Sequence, residues 1–377
     1  MPTSERPGPF ARLVAAWRDW RNTRISDPAF QAWAAGFPLT RPVARAEAAQ
    51  LYDIVSGFVY SQTLLACVEL DLFSHLDHPR TAHDLAGRIG LAPERAERLA
   101  QAATALRLLE RTGDAYALGP LGAALQGAPG VVEMVRHHAM FYRDLSDPVA
   151  LLTGGADTEL SRYWSYVGGA NTHGMTAEEA APYSRLMAAS QRMVAEETLA
   201  AVPLAGVGTL LDVGGGEGAF LEAAAIATPG LEIVLFDLPS VADRARARFD
   251  AAGLARRARI VGGSFLDDPL PSGADAISLV RVLYDHDDDV VAALLAKVRD
   301  SLPADGRLIV SEPMSGGDTP SRSGDAYFNF YTLAMGTGRP RSAARHAEML
   351  AEAGFVGVRT RATRQRFVTS IITARKA

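Results

Sequence analysis

From Thr209 to Phe220 the chain reads Thr-Leu-Leu-Asp-Val-Gly-Gly-Gly-Glu-Gly-Ala-Phe, and these residue types can hold a nucleotide-like ligand. Leu210, Leu211 and Val213 form an apolar run that predicts a buried parallel strand. Gly214, Gly216 and Gly218 follow, where backbone must take positive φ or come close to a ligand. Phe220 to Ala227 then reads as a helix, whose first N–H groups would face that ligand. As Gly214-x-Gly216-x-x-Ala219 the turn passes a loose dinucleotide fingerprint, which alone is weak. Asp212 favours a different occupant. A carboxylate at the end of a buried strand is costly without a cationic or donor partner, so a ligand carrying its own cation suits it better.

Strands and helices alternate from Gly208 onward, the pattern of a doubly wound sheet. A second strand over Ile233 to Phe236 ends at Asp237-Leu238, about twenty residues past the glycines, where an acidic side chain binds ribose hydroxyls. A third, Arg259 to Gly262, leads to Ser264 and Phe265, whose ring could flank an adenine. A fourth, Ala274 to Val282, leads through Arg281 into Tyr284-Asp285-His286. A helix from about Val290 to Leu302 precedes a fifth strand that ends at Glu312. Ligands in such sheets bind beyond the carboxyl ends of the strands, where all of these residues fall. Aromatic Tyr327 to Met335 and Ser342 to Ala353 read as helices, and Phe355 to Thr360 with Phe367 to Ala374 as a terminal hairpin completing the sheet.

The 377 residues allow two domains, or one with a large appendage. We divide them into an arm (1–40), a helical winged-helix region (41–200) and a ligand-binding domain (201–377). Apolar content of 48% supports sizeable cores, and a net charge of −5 leaves no global nucleic-acid footprint. Cys67 alone cannot form an intramolecular disulfide, which suggests a reducing compartment, and its apolar surroundings point to packing. The sequence has neither an uninterrupted apolar run of membrane-spanning length nor a signal-peptide core, so a soluble or peripheral cytoplasmic protein is expected.

Residues 1–7 read as disordered. In the arm Phe10, Leu13, Val14, Trp17 and Trp20 recur at helical spacing with Arg12, Arg18, Arg21 and Arg24 among them. Such a helix packs on protein or lies in a membrane interface, and the sequence leaves both open. Thr81 reads as a helix N-cap, and Gly113-Asp114 as the turn of a hairpin over 110–118. The helix carrying Arg95, Arg98 and Arg107 also carries Glu94 and Glu97, so it lacks a DNA-binding surface. Between 131 and 200, His137, His138, Phe141, Tyr142, Tyr163, Trp164, Tyr166, Met175, Tyr183, Met187 and Met193 line an apolar acceptor pocket or form interhelical core. The histidine pair lacks further ligands at metal-binding spacing, so no metal is expected.

Leu211-Asp-Val-Gly-Gly-Gly-Glu-Gly218, Phe236-Asp-Leu-Pro239, Gly263-Ser-Phe-Leu266 and Ile309-Val-Ser-Glu-Pro-Met314 resemble, in order, the motifs of class I S-adenosylmethionine (SAM) O-methyltransferases with an N-terminal winged-helix dimerisation domain. The likeness runs from about Phe58 to the C-terminus. Phe30 to Pro42, Val280 to Asp288 and Gly324 to Phe328 look most similar to the hydroxycarotenoid O-methyltransferases of purple photosynthetic bacteria. The resemblance implies a Rossmann-like α/β domain with a mostly parallel sheet and an antiparallel terminal strand, beside the helical dimerisation domain. It implies a homodimer that uses SAM to methylate the tertiary hydroxyl of hydroxyneurosporene or demethylspheroidene. A cytoplasmic location follows, with peripheral contact at the inner photosynthetic membrane left open. Cofactor contacts would come from Asp212, Gly214, Gly216, Gly218, Asp237, Leu238, Ser264, Phe265 and Arg281. His286, Tyr284, Asp285 and Glu312 would be the catalytic set.

The chain departs from the family's phenol-methylating plant members at two places. Tyr284 stands where they carry the base histidine, and a later orienting glutamate falls near Pro340. A phenol is acidic enough to ionise beside one histidine, whereas a tertiary alcohol is not. Proton loss must then be late or concerted, with acceleration coming mainly from alignment. His286 is the first candidate proton acceptor, with Asp285, Tyr284 or a water next, and Tyr284 aims the acceptor oxygen. Another pigment or polyketide acceptor, tetrapyrrole carbon methylation, and a non-catalytic SAM-sensing regulator stay as alternatives.

Overall fold

The computed structural model describes residues 8–165, 190–365 and 367–377. Contacts divide the chain into two compact units, Met1–Pro120 and Leu121–Ala377. The expected disorder of 1–7, and Tyr166, Met175, Tyr183 and Met187, lie outside the described residues.

In the first unit, α1 (Pro9–Ile25), α2 (Pro28–Gly36) and α3 (Arg41–Glu69) precede α4 (Ala82–Ile89) and α5 (Pro93–Ala105). Strands β1 (Arg80–Thr81), β2 (Leu109–Thr112) and β3 (Ala115–Leu118) form an antiparallel sheet ordered β1-β3-β2, completing the winged-helix pattern. Cys67 is fully buried, and burial pushes its thiol up to about 12, which makes it inert packing. The apolar residues of α1 and much of α3 are not core. Phe10, Leu13, Trp17, Trp20, Leu51, Ile54, Val55 and Phe58 are all exposed. By length and composition alone α3 is long and apolar enough to cross a membrane, despite polar interruptions such as Ser56 and Gln62.

The second unit begins with α6 (Pro120–Gln126), α7 (Pro129–Asp144), α8 (Pro148–Leu152), α9 (Glu159–Ser165) and α10, described over 190–201. The sequence reading groups these helices with the N-terminal region. By contact α7 to α9 belong here, because Phe141, Leu151, Leu160 and Trp164 pack on Tyr331 and Met335.

Seven strands follow: β4 (Thr209–Val213), β5 (Glu232–Asp237), β6 (Ala258–Gly262), β7 (Ala276–Val280), β8 (Arg307–Glu312), β9 (Phe355–Arg361) and β10 (Ser370–Lys376). Their order is β6-β5-β4-β7-β8-β10-β9, parallel from β6 to β8 and antiparallel where β10 meets β8 and β9. Chain direction across the sheet reverses between β4 and β7, the switch point where ligands bind.

Helices α11 (Ala219–Ala227), α12 (Pro239–Ala251), α13 (Asp288–Ser301), α14 (Asn329–Met335) and α15 (Ala343–Glu352) complete the unit. Period-two alternation explains both faces. Leu211, Val213, Ile277 and Leu308 pack on Val291, Leu294 and Leu350, while Leu210, Ile233 and Ile309 pack on Phe220, Leu221 and Phe249. Each such side chain contributes about 1.5–3 kcal/mol through burial. The fourth strand is shorter than its apolar run predicts, because Arg281 takes φ 58° and turns the chain out of the sheet.

Thr81 caps α4 as its sequence indicates, accepting from the Asp84 N–H at 3.2 Å and donating to the Asp84 carboxylate at 2.9 Å. Thr81→Ala should lower the stability of the first unit by about 1 kcal/mol. Denaturant titration followed by a probe in each unit checks this. An unchanged midpoint for the first unit would contradict the cap.

Candidate active site

The end of β4 supplies the first wall. Asp212 is 1% exposed; its Oδ1 accepts from the Ser278 hydroxyl at 2.6 Å, and its Oδ2 has no partner among the described residues. Burial pushes the carboxyl up to about 7; the Ser278 hydrogen bond opposes this rise and the Asp237 charge adds to it. Gly216 lies at φ 59° with open space where a side chain would begin. At Gly215, by contrast, a Cβ would fall 2.5 Å from Asp212 Oδ2, so this backbone must pass directly over the carboxylate. A buried carboxyl with one unpartnered oxygen beneath an open glycine turn fits a cationic, nucleotide-bearing cofactor such as SAM.

Asp237, at the end of β5, accepts from the N–H of Gly216 at 2.7 Å and from its neighbour Leu238 at 2.7 Å. It therefore ties β5 to the glycine turn. Burial raises its pKa against those two hydrogen bonds. Ser264 hydrogen-bonds locally, its N–H donating to Asp268 and its hydroxyl accepting from the Leu266 N–H. The Phe265 ring meets the His286 ring edge-on at 5.2 Å.

Beyond β7 the chain makes a tight turn that carries the second group. Arg281 is held left-handed, its N–H donating to Ser311 O at 2.8 Å, a strained conformation for a residue with a side chain. The sequence reading gave Arg281 to the cofactor. In the structure its guanidinium donates to the Ser190 hydroxyl at 2.9 Å and approaches the Tyr284 hydroxyl at 3.4 Å. Leu283–Asp285 form a single 3-10 turn, with the Tyr284 N–H donating to Glu312 Oε2 at 3.1 Å. Asp285 Oδ1 is buried and has no partner among the described residues. Burial pushes this carboxyl up to about 8; Arg281 pulls it down and Glu312 adds to the rise. His286 is shifted down, by burial first and the Arg341 charge next. Glu312 is fully buried at the end of β8, its Oε1 2.9 Å from His346 Nε2.

An aromatic series leads away from this turn. The Tyr284 ring meets Phe328 at 6.0 Å, Phe328 meets Tyr327 at 4.8 Å, and Tyr327 stacks on Tyr331 at 5.9 Å. Tyr331 receives the Trp164 indole N–H at 3.0 Å, and its hydroxyl hydrogen-bonds His137 Nε2 at 2.6 Å. Tyr327 and His138 Nε2 lie 2.7 Å apart. Burial lowers both histidines to about 4, so both are neutral. Phe141, Trp164 and Tyr331 thus form interhelical core.

Residues that sequence reasoning missed include Ser278, Ser190, Gly338 and Arg341. Isolated serines carry no pattern that could have marked them. Gly338 and Arg341 lie where the family likeness indicates only a missing glutamate.

Residues 142–356 match the O-methyltransferase domain family, and residues 52–126 match the O-methyltransferase dimerisation domain. A demethylspheroidene O-methyltransferase from Cereibacter sphaeroides is 52% identical over 349 residues, spanning 92% of this chain and 91% of that one. A demethylspheroidene O-methyltransferase from Rhodobacter capsulatus is 49% identical, spanning 90% and 85%. The crystal structure of CalO1, a methyltransferase in calicheamicin biosynthesis in its SAH-bound form, superposes with a TM-score of 0.72 at 28% identity, covering 88% of this chain and 98% of that one. With its class I sheet order, its glycine turn and these matches, the chain belongs to the O-methyltransferase family.

Proposed function

We propose that this O-methyltransferase methylates the tertiary hydroxyl of a hydroxycarotenoid of the demethylspheroidene type, drawing the methyl group from SAM. The 52% identity to a demethylspheroidene O-methyltransferase over 92% of this chain carries the reading, and the buried aromatic cluster of Tyr284, Phe328, Tyr327 and Tyr331 gives the Asp285 turn the apolar surroundings that such an acceptor needs. The names of its two relatives at 52% and 49% identity support the same acceptor class.

Bound at the glycine turn, SAM supplies an electrophilic methyl group on a sulfonium. Asp212 would meet its ammonium, Asp237 its ribose, and Phe265 with His286 its adenine. Geometry favours Asp285 over His286 as proton acceptor, because the His286 ring is committed to Phe265 while Asp285 Oδ1 lacks a partner. A carboxylate raised to about 8 by burial holds a proton far better than an exposed one, which suits a weakly acidic alcohol. Arg281 approaches the Tyr284 hydroxyl as donor, and that hydroxyl faces the Asp285 carboxylate, so Tyr284 stands where it would aim the acceptor oxygen at Asp285. Glu312 fixes the turn through the Tyr284 N–H.

The dimerisation-domain match spans Tyr52, Ile54, Val55 and Phe58 of α3, all exposed in a single chain, which supports pairing of two copies there. We place the protein in the cytoplasm. Exposed Phe10, Trp17 and Trp20 beside Arg12 and Arg18 support peripheral contact of α1 with an anionic inner-membrane surface, where a hydroxycarotenoid would also be held.

Transfer of labelled methyl from SAM to detergent-dispersed 1-hydroxycarotenoids, with phenolic and tetrapyrrole acceptors alongside, should give a methoxycarotenoid. Label only on a phenol or a ring carbon would overturn the acceptor. In the same assay a base must be deprotonated, so turnover should rise with pH through about 8. Asp285→Asn should lower turnover by about 100-fold and abolish that rise. Undiminished turnover would remove Asp285 from the mechanism.

A further inference from the structure

Arg341 is 3% exposed, and its guanidinium is spread over three partners of one turn. Its Nε donates to Asp288 Oδ1 at 2.8 Å, Nη1 to the Leu283 carbonyl at 2.8 Å, and Nη2 to the His286 carbonyl at 2.7 Å. The two carbonyls bracket Tyr284 and Asp285. Asp288, the first residue of α13, also receives Arg339 at 2.7 Å and Arg345 at 3.2 Å. Burial alone would raise its pKa; the three arginines outweigh that and hold the carboxyl at about 2, so the anchor stays ionised.

The segment bearing Arg341 touches the turn a second time. Gly338 has φ 74°, and a Cβ there would overlap the Tyr284 carbonyl and the Asp285 backbone, so its backbone lies directly against that peptide. On the other side, the Arg341 carbonyl accepts from the Ser315 N–H at 3.0 Å, shortly after Glu312 at the end of β8. One strap thus joins the reactive turn, the start of α13 and the exit of β8.

We propose that Arg341 is a positioning residue for methyl transfer: its planar fork clamps the Leu283–His286 turn and sets where Tyr284 and Asp285 stand against the acceptor. The proposal rests on the role given to Asp285 above. Displacing a reacting group by about 1 Å costs on the order of 100-fold in rate, and apart from Arg341 the turn is held by the Glu312 bond to Tyr284 N–H and two long 3-10 bonds of 3.2 and 3.3 Å. A lysine at 341 would keep the charge but cannot serve two carbonyls and a carboxylate in one plane.

The test uses the full chain at saturating SAM, with whichever acceptor the wild type methylates, so a different acceptor class would revise the functional reading and leave this outcome intact. Arg341→Lys should melt cooperatively and lose about 30-fold in kcat per folded molecule, with acceptor KM changing far less. Arg341→Ala leaves room for a guanidinium ion. Added guanidinium chloride, well below denaturing levels, should restore part of the turnover of Arg341→Ala and none of that of Arg341→Lys. Asp288→Asn, which loosens the same clamp from its anchor, should lower kcat at least about fivefold and decides the matter if neither Arg341 variant folds. A folded Arg341→Lys with wild-type kcat, absence of guanidinium rescue in a folded Arg341→Ala, or a wild-type kcat in Asp288→Asn would each overturn the clamp.

Discussion

Carboxylates buried at the carboxyl ends of parallel strands are the constraint on which the rest depends. Asp212 and Glu312 are almost wholly inaccessible, and burial drives Asp212, Asp237 and Asp285 upward in pKa. An apolar sheet tolerates such groups only where donors or cations reach them. Ser278 and two backbone N–H groups meet Asp212 and Asp237 in part, and Arg281 stands beside Asp285. Among the described residues, one oxygen of Asp212 and one of Asp285 are buried without a partner. We propose that they face the cofactor and the acceptor of one site.

The scaffold gives these atoms their places by removing choice. Glycine lets the chain pass over Asp212, while the left-handed Arg281 ends β7 and throws the next residues into a turn. The conformational strain of Arg281 is offset by its backbone bond to Ser311 and by its buried guanidinium contacts. Aromatic rings then extend the site from Tyr284 into the helices. Asp-anchored arginines lock the far side of the turn. Each device uses a different interaction, so loss of one leaves the sheet intact while changing the site.

Much of this was legible in the sequence because it is written in local patterns. Alternating apolar residues marked the strands, the glycines marked the turn after β4, and position along each strand put Asp212, Asp237 and Glu312 at one end of the sheet. Arg281 was assigned to the cofactor because it lies at a strand end; its left-handed backbone, which no spacing reveals, sends its side chain to Ser190 and Tyr284 instead. His286 stands first among the candidate proton acceptors in the sequence, whereas its ring packs edge-on against Phe265 through a contact that no spacing reveals. Arg341 escaped notice for a related reason. Its partners are two carbonyls and one carboxylate more than fifty residues earlier in the chain, and backbone acceptors have no residue-type signature.

We propose that Asp212, its carboxyl raised by burial to about 7 and so partly protonated in the free protein near pH 7, receives the ammonium of SAM. A bound ammonium lowers that pKa, so binding must release the proton, and affinity must rise with pH through this range. Titration calorimetry of SAM binding at pH 7 in two buffers of different ionisation enthalpy measures the release directly. Heats that differ between buffers in the sense of proton release, and no longer differ in Asp212→Asn, are the result expected. Heats independent of buffer between pH 6 and 8 would contradict the account.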